Sequence, residues 1–512
     1  MNNKFILPLI FLATLSSCSL SNPSTSIPFE SESASETESM NESISESTSS
    51  ELESEVESES KEEEEQTIFE KFFNIENKVE LKLDFSKYPQ SINKLAKYSE
   101  ESFTKQEMYH PVDVTVSINN ETFFFEECGA RMKGNTSRNP NFVDDKGNIH
   151  ALVHFKISFN QTFDDEEDND YYIRTWESSE DRQERKDRRF GHVKKFDIKW
   201  NKSFDSSYTK QAYSYECFRE EGLLVERNNL IKTTIKTSSS ERTEIYLAQE
   251  CIDKEFLKYH LPKDNSKGNL YKATYTSSGP ADYTIDSLKR IGVEGNNFKP
   301  AYDLKTNDDE PDHTLLKNLI TELNNDKSSA STFKNKLDSI VDVDSLLKYH
   351  ALCFILGNPD DSRMNYNNHY VYFDSITNKA SFIPYDFDRC LGILQDWDRD
   401  MTSVQPFTTK DINRSWQKNP LLWRLFLNET DNSVSYSNNY PVLSEYQEQY
   451  KQYVLEYAEK YLDVAKFQDF TNKFYHCPNK DVSIPGGNNP TNQTFAYYCK
   501  GKKQAIEDDT RM

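Results

Sequence analysis

The period of the apolar residues changes along this chain, and that change limits the folds open to it. From Val112 apolar and polar residues alternate in "VDVTVSI", "ETFFFEECGARMKGN" and "ALVHFKISF", with turn residues between them. A period of two is the mark of half-buried strands. A helix is predicted over 206–222, where a serine start, helically spaced apolar and aromatic residues and a Gly222 stop coincide. "NLIKTTIKTS" and "TEIYLAQECI" then read as strands, "DKEFLKYHL" as a short helix and "GNLYKATY" as a short strand. From about residue 314 the period becomes helical, in "TLLKNLITELNND", "STFKNKLDSI" and "VDSLLKYHALCFILG". A hairpin, "HYVYFD" to "SFIPYDF", interrupts this half, and "PLLWRLFL" and "SEYQEQYKQYVLEYAEKYL" continue it as helices. A mostly β half followed by a mostly α half belongs to the α+β class. The charge blocks "DDEEDND" at 164–170 and "DRQERKDRR" at 181–189 read as solvated loops.

The N-terminal stretch has a different character. Residues 19–66 are dominated by Ser and Glu and hold much of the formal charge of −24. Such a segment repels itself and buries almost nothing, so it reads as a disordered tether. Before it stands "MNNKFILPLIFLATLSSC", with Lys4, an apolar run from Phe5 to Leu15 and small residues ending at Cys18. The run is short for a bilayer span and has signal-peptide form. Its end resembles a bacterial lipobox, which would make Cys18 the lipidated first residue of a secreted protein on the outer face of a bacterial membrane. The blander alternative is a secretory signal with an incidental cysteine. No other segment reads as a transmembrane helix, so the expected anchor is lipid. The body of roughly 445 residues is enough for a sizeable core. It is only moderately acidic and carries no basic stripe, which argues against a nucleic-acid partner. Seven cysteines follow Cys18 without zinc spacing, and their odd number argues against a disulfide framework, with a Cys477–Cys499 loop left open.

The densest chemistry lies in "GNPDDSRMNYNNHYVYF", Gly357 to Phe373, and "FIPYDFDRCLG", Phe382 to Gly392. Adjacent carboxylates and clustered amides repel or leave hydrogen bonds unmade unless a cation lies among them. Read by role, the chain offers a Gly-containing turn, a lysine-bearing strand and an acid-bearing helix. Its helical half adds Asp, a downstream Asn and a hairpin ending in Asp-aromatic-Asp. Kinase-style phosphoryl transfer uses those parts. A lysine grips phosphates, one carboxylate takes the acceptor's proton, and an amide with a second carboxylate holds divalent ions. Oxygen donors from Asp and Asn suit Mg²⁺ or Mn²⁺. Each segment has a bland reading, as a capping turn, a flexible loop or a strand end with solvated acids. Their occurrence together around one hairpin favours the chemical one. GxSxG, HExxH and GxxxxGK[ST] are all missing, and His369 reads as a packing residue.

In order along the chain, "GARMKGNTS", "HFKISF", "IYLAQECIDKEFL", "GNLYK", "NPDDSRMNYNNHYVYF" and "FIPYDFDRCLG" resemble the CotH spore-coat kinase family, a divergent branch of the protein-kinase-like fold. The resemblance runs from about 110 to 430. It implies a two-lobed kinase-like fold, with a β-rich N-lobe at 67–253, a helical C-lobe at 254–465 and a C-terminal extension at 466–512, behind the signal peptide 1–18 and the linker 19–66. It also implies ATP, Mg or Mn, and transfer to Ser/Thr hydroxyls of a protein acceptor. The serines of the tether make it one candidate acceptor, with a plain spacer through the cell envelope as the favoured alternative. By position, Asp361 resembles the catalytic aspartate. Asp360 stays open, because the segment up to the asparagine is about two residues longer than in the family. Asn368 resembles the metal-side asparagine and Asp386 the metal-binding aspartate, and Asp388 completes Asp-x-Asp. Family members usually have Trp where Tyr385 stands.

Lys156 resembles the phosphate-gripping lysine, with a solvent-facing strand lysine as the alternative. Glu216 is its candidate helix partner, with Glu220 and Glu221 competing. Arg131, Lys133 and the turn at 134–137 would cover the phosphates, and Glu250 to Asp253 would form the hinge under an adenine. Lys272 is a family-typical lysine without a derived role. The rival expectation is a surface binding or adhesion lipoprotein that keeps the scaffold without the chemistry.

Overall fold

A computed structural model describes residues 66–100, 108–134, 137–164, 171–202, 205–293, 300–394, 398–407, 419–425, 443–485 and 492–512. Cys18 and residues 19–65 lie outside the described residues, so lipidation and the tether are not addressed by it. Residues 64–512 form one compact unit.

The β half closes on itself. Strands β1 (Val79–Asp84), β2 (His110–Ile118), β3 (Glu121–Lys133), β4 (His154–Ser158), β5 (Lys195–Trp200), β6 (Asn228–Lys236) and β7 (Glu241–Glu250) form a barrel in the order β1-β2-β3-β4-β5-β7-β6. Neighbours pair antiparallel except β1 and β6, whose parallel pairing, with Leu81 opposite Thr233, closes the ring. Alternation fills the inside, since Leu81, Leu83, Val114, Val116, Ala130, Phe155, Ile157, Phe196 and Ile198 all belong to one buried cluster. Helix α1 (Ile68–Phe73) adds Phe69, Phe72 and Phe73 to that cluster and starts with a Thr67–Glu70 capping box. Helix α2 (Pro89–Glu100) contributes Ile92 and Leu95. The charge block expected as loop is instead helix α3 (Ser179–Asp187), capped by Ser178 and without a buried residue. Its charges are only partly solvated, since Arg182 pairs with Asp164, Arg185 pairs with buried Glu127 at 2.9 Å, and Arg188 donates to Glu126 O at 2.7 Å.

Helix α4 (Lys210–Glu220) follows β5 in sequence yet packs elsewhere. Tyr213, Tyr215, Cys217 and Phe218 join the large core of the helical half. That half contains α5 (Lys254–His260), α6 (Thr314–Asn325), α7 (Ala330–Ile340), α8 (Val343–Leu356), α9 (Pro420–Trp423), α10 (Ser444–Tyr461), α11 (Val464–Lys473) and α12 (Phe495–Glu507). A four-stranded antiparallel sheet runs β11-β10-β8-β9, from β8 (Asn269–Ala273), β9 (Tyr302–Leu304), β10 (His369–Phe373) and β11 (Ala380–Pro384). Helix α8 is apolar almost all round, as a helix surrounded by others must be, and lies against α10 and β11. The α+β expectation holds, with the β part a closed seven-stranded barrel. Cys477 and Cys499 are both free, so the local disulfide left open by the sequence does not form. Among the described residues no helix is long and apolar enough to cross a membrane.

Candidate active site

The barrel supplies one wall of the site. In β3, β4, β5 and β7 the side chains of Ala130, Met132, Phe155, Ile157, Phe196, Ile198, Tyr246 and Ala248 point into the barrel core. Their neighbours Arg131, Lys133, Lys156, Asp197, Lys199 and Gln249 therefore share the outer face. Register sets Arg131 opposite Lys156, Lys156 opposite Asp197, and Asp197 opposite Gln249. Asp197 sits between two ammonium groups, with Lys156 Nζ at 2.7 Å and Lys133 Nζ on its other oxygen. Burial pushes its carboxyl up, but Lys133 and Lys156 more than reverse this and hold it well below the usual carboxylate range. For Lys156 burial works against the charge, and Asp197 more than restores it. Lys156 Nζ also donates to Cys251 Sγ at 2.9 Å.

The facing wall comes from two loops of the helical half. Helix α8 stops at Gly357, whose φ of +60° places it in the left-handed region, and any Cβ there would meet the Tyr498 hydroxyl. The chain turns through Asn358–Asn368 into β10, and the hairpin returns through Tyr385 to Asp386, Phe387 and Asp388. Backbone bonds tie the loops together. Tyr385 N donates to Asn368 O at 3.2 Å and Leu391 N to Leu356 O at 2.8 Å, while Asn358 Nδ2 donates to Asp386 O at 3.2 Å. Asn368 and Asp386 both have left-handed backbone, φ 52° and 57°, a conformation a non-glycine residue keeps only where its surroundings impose it. Phe387 anchors the turn against Phe218 and Tyr215.

The walls meet at Lys199. Its Nζ donates to Asp386 Oδ1 and lies 3.5 Å from Asp388 Oδ2. Although 35% of the Asp386 side chain is exposed, the surrounding protein desolvates it and would raise its carboxyl. Lys199 and Lys133, helped by Lys272, reverse that and hold it well below the ordinary range. Asp388 goes the other way, pushed up by burial against the pull of Lys199. Lys272, from β8, stands over the Tyr385 ring at 4.2 Å, and Lys133, from β3, stands 5.3 Å from the same ring centre. Tyr385 thus spaces two cations beside Asp386.

Asp360 and Asp361 have separate surroundings. Asp360 accepts from Asn368 Nδ2 at 3.0 Å, from Asn367 Nδ2 at 3.3 Å and from Asn365 Nδ2, and Arg389 lies at 2.5 Å. Asp361 is fully buried, and its Oδ1 accepts the backbone N–H groups of Arg363 and Met364 at 2.9 Å each. Its Oδ2 has no hydrogen-bond partner, and burial pushes its carboxyl up to about 7. Of the expected residues, the structure brings Lys133, Asp386 and Asp388 toward Lys199, Lys156 together with Lys133 onto Asp197, and Asp360 and Asn368 toward each other. Arg131 is on the same barrel face, with its guanidinium over the Tyr109 ring at 5.4 Å.

Two expected contacts are not made. Glu216 pairs with Arg219 on its own helix, and Lys156 takes Asp197 instead. The cause is that α4 packs its inner face into the helical core. Glu250 points to the other face of β7, accepting from Arg227 N at 3.1 Å and meeting His260 Nε2 at 2.9 Å. Of the turn at 134–137, Gly134 has φ +97°, while Asn135 and Thr136 lie outside the described residues. His369 packs, as expected, with Nε2 2.7 Å from the Tyr283 hydroxyl. Asp197, Lys199, Glu226 and Arg389 were missed. Alternation in "KFDIKW" could have revealed the first two, but Glu226 had no sequence signal. It is a buried acid whose Oε1 accepts from Gln249 Nε2, and burial pushes it up to about 8 against Lys133, Tyr215 and Lys199.

The donors fit a hard divalent cation. Asp386, Asp388, Asn368 and Asp360 offer oxygen, and Mg²⁺ is commonly held by one or two carboxylates together with substrate phosphates. Among the described residues no three His, Cys, Asp or Glu converge tightly enough to hold a metal alone. The profile of a family described as CotH kinase protein matches residues 161–477. The chain belongs to the CotH kinase family. No curated protein matches its sequence. For a CotH kinase-family protein, a kinase-like function is the coarse assignment, and the cleft between β5 and the Asp386 loop is its candidate seat.

Proposed function

We propose that this protein moves the γ-phosphate of ATP to Ser or Thr hydroxyls of a protein, with Mg²⁺ or Mn²⁺. The observation that carries the reading is Lys199, a barrel lysine that meets both acids of the Asp-Phe-Asp segment. Lys199 and Lys133 grip the nucleotide phosphates, with Lys272 closing from the other wall. Asp386, Asp388 and Asn368 hold the metal, which when bound neutralises phosphate charge and orients the leaving group. Asp360 accepts the proton of the attacking hydroxyl, its carboxylate oriented by Asn365, Asn367 and Asn368. Asp361 shapes the loop beneath it. Lys156 and Asp197 keep the barrel wall charged and fixed.

The lipobox resemblance supports action outside the cytoplasm by a membrane-anchored chain, and the many serines of the 19–66 segment offer an acceptor in cis. The test is transfer from γ-labelled ATP by the full chain, with Mg²⁺ and with Mn²⁺, followed by phosphopeptide mapping. Label that vanishes in Asp386→Ala and in Asp360→Ala is expected. A wild-type chain that neither transfers nor binds ATP with either metal removes the reading. An unmodified 19–66 segment removes only the in-cis acceptor.

A further inference from the structure

The last residues of the chain lie beyond the matched family span yet touch the site's supporting segments at several points. Gln493 N donates to Gly392 O at 2.9 Å, four residues after Asp388. Leu394 N donates to Asn492 Oδ1 at 2.9 Å. Buried Lys210, at the start of α4, donates its Nζ to Leu391 O at 2.8 Å and to Gln493 O at 3.1 Å. One ammonium thus joins α4, the Asp-Phe-Asp segment and the C-terminal segment. Next to it Ser214 Oγ donates to Cys390 Sγ at 3.0 Å. The Tyr498 hydroxyl, on α12, donates to Ile355 O at 2.9 Å, just before the turn that carries Asp360. One turn further along α12, buried Lys502 donates to Met401 O.

Glycines mark how closely these parts approach. A Cβ on Gly392, whose φ is +81°, would stand 2.9 Å from Gln493 Cβ, and one on Gly357 would strike Tyr498. Gly357 precedes the turn that bears Asp360 and Gly392 follows the segment that bears Asp386, and both face the C-terminal segment. The contacts converge on residues 355–357 and 390–394, and those two stretches are themselves joined by Leu391 N to Leu356 O. A surface helix packed for stability alone would bury its apolar stripe and leave its polar groups in water. Here α12 does bury such a stripe, with Phe495, Cys499 and Ile506 in the helical core, but polar groups of 492–498 also bond the last turn of α8, just before the Asp360 turn, and the stretch after Asp388.

We propose that residues 492–512 are an in-chain clamp that holds both acid-bearing loops in register, with Lys210, Asn492, Gln493 and Tyr498 as positioning residues. The positioning role rests on the phosphotransfer reading of the cleft, while the mechanical claim does not. Asp360 and Asp386 lie on separate loops, and productive transfer requires them in one geometry. Loosening the clamp therefore weakens the metal-dependent step more than phosphate binding by the barrel lysines.

The experiment uses the full chain and the variants Lys210→Met, Lys210→Arg, Asn492→Ala and Tyr498→Phe. Amide hydrogen exchange is followed over 386–394 and over the barrel strands, together with the Mn²⁺ concentration for half-maximal ATP-dependent transfer. Lys210→Met and Asn492→Ala are expected to speed exchange at Leu391 and Leu394 about tenfold or more while β1 and β2 keep their wild-type rates. The half-maximal Mn²⁺ concentration is expected to rise about fivefold or more with a smaller change in KM for ATP, and Lys210→Arg restores most of both. Tyr498→Phe, which loses one hydroxyl, keeps the test open if Lys210→Met does not fold. Wild-type exchange over 386–394 in every folded variant overturns the clamp. If the wild type neither transfers phosphate nor binds nucleotide, the phosphotransfer reading fails, while the exchange contrast still decides whether the clamp exists.

Discussion

Asp360 and Asp361 are adjacent in the chain and opposite in surroundings. Asp361 spends one oxygen on two backbone N–H groups and buries the other without a partner. Asp360 presents its carboxylate to the asparagines and to Arg389. Asp360→Asn is expected to lower the transfer rate by about 10² to 10⁴ with nucleotide binding retained. Asp361→Asn, which can still accept both N–H groups, stays within about tenfold, whereas Asp361→Ala costs about 1–3 kcal/mol of stability by stranding them. Single-turnover rates and denaturant melts of the three variants decide the assignment, and loss of chemistry in Asp361→Asn alone would reverse it. The sequence could not separate the two, because a turn acid that caps backbone and a turn acid that faces a cleft have the same local pattern. Glu226 offers a pH test. Its folded value of about 8 is above its ordinary 4.5, so the stability it allows is intact below the lower value and lost as pH rises through the upper one. Glu226→Gln removes that loss. The variant should gain on the wild type between about pH 5 and pH 9, by on the order of 5 kcal/mol at the top. Parallel melting curves across that range would be enough, and a constant gap refutes the charge-burial explanation.

At the scale of elements, the two strands most alike in sequence differ in position. "HFKISF" and "KFDIKW" both alternate and both carry an outward lysine, but only β5 reaches the Asp-Phe-Asp segment. Lys199→Ala is therefore expected to lower kcat/KM about 10²-fold or more and to raise KM for ATP. Lys156→Ala should instead act through Asp197, as destabilisation of the wall. Glu216→Ala should stay within about twofold, since its partner is a surface arginine on the same helix. Steady-state kinetics of the three variants check this, and a Glu216→Ala loss as large as that of Lys199→Ala would mean α4 rotates into the cleft. The observed packing opposes such rotation. Tyr213 Oη donates to Tyr461 O at 3.0 Å, and Thr209 and Thr471 share a hydrogen bond of 2.9 Å. Helix α8, the β10–β11 hairpin and the barrel's longer strands were legible because their apolar period is strong and local. Strand β5 was not, because it is short and follows a charge block, and the placement of α4 was not, because period shows which face is buried but not against which partner.

The whole molecule joins distant stretches of chain at one cleft, since Lys199 and Asp386 are 187 residues apart in sequence. Closure of the barrel has the same character. Leu81 pairs with Thr233 across a span that no local pattern predicts, so an α+β class was readable and a ring was not. A ligand whose phosphates touch the barrel lysines and whose metal touches the Asp-Phe-Asp segment would tie both halves together in the folded state only. ATP with Mn²⁺ at about 100 times its Kd should therefore stabilise the fold by about 2.7 kcal/mol. For a chain of this size that is a rise in Tm of about 3 °C. EDTA should abolish most of the rise, because without metal the acids of the cleft repel the phosphates that the lysines attract. Asp386→Ala should abolish the metal-dependent part and leave the small metal-free part, which comes from Lys133, Lys199 and Lys272. A rise with ATP that ignores EDTA and survives Asp386→Ala would place the nucleotide elsewhere in the molecule. The clearest support for one shared site would be loss of the metal-dependent rise in both Lys199→Ala and Asp386→Ala, because those residues stand on opposite walls and meet only there.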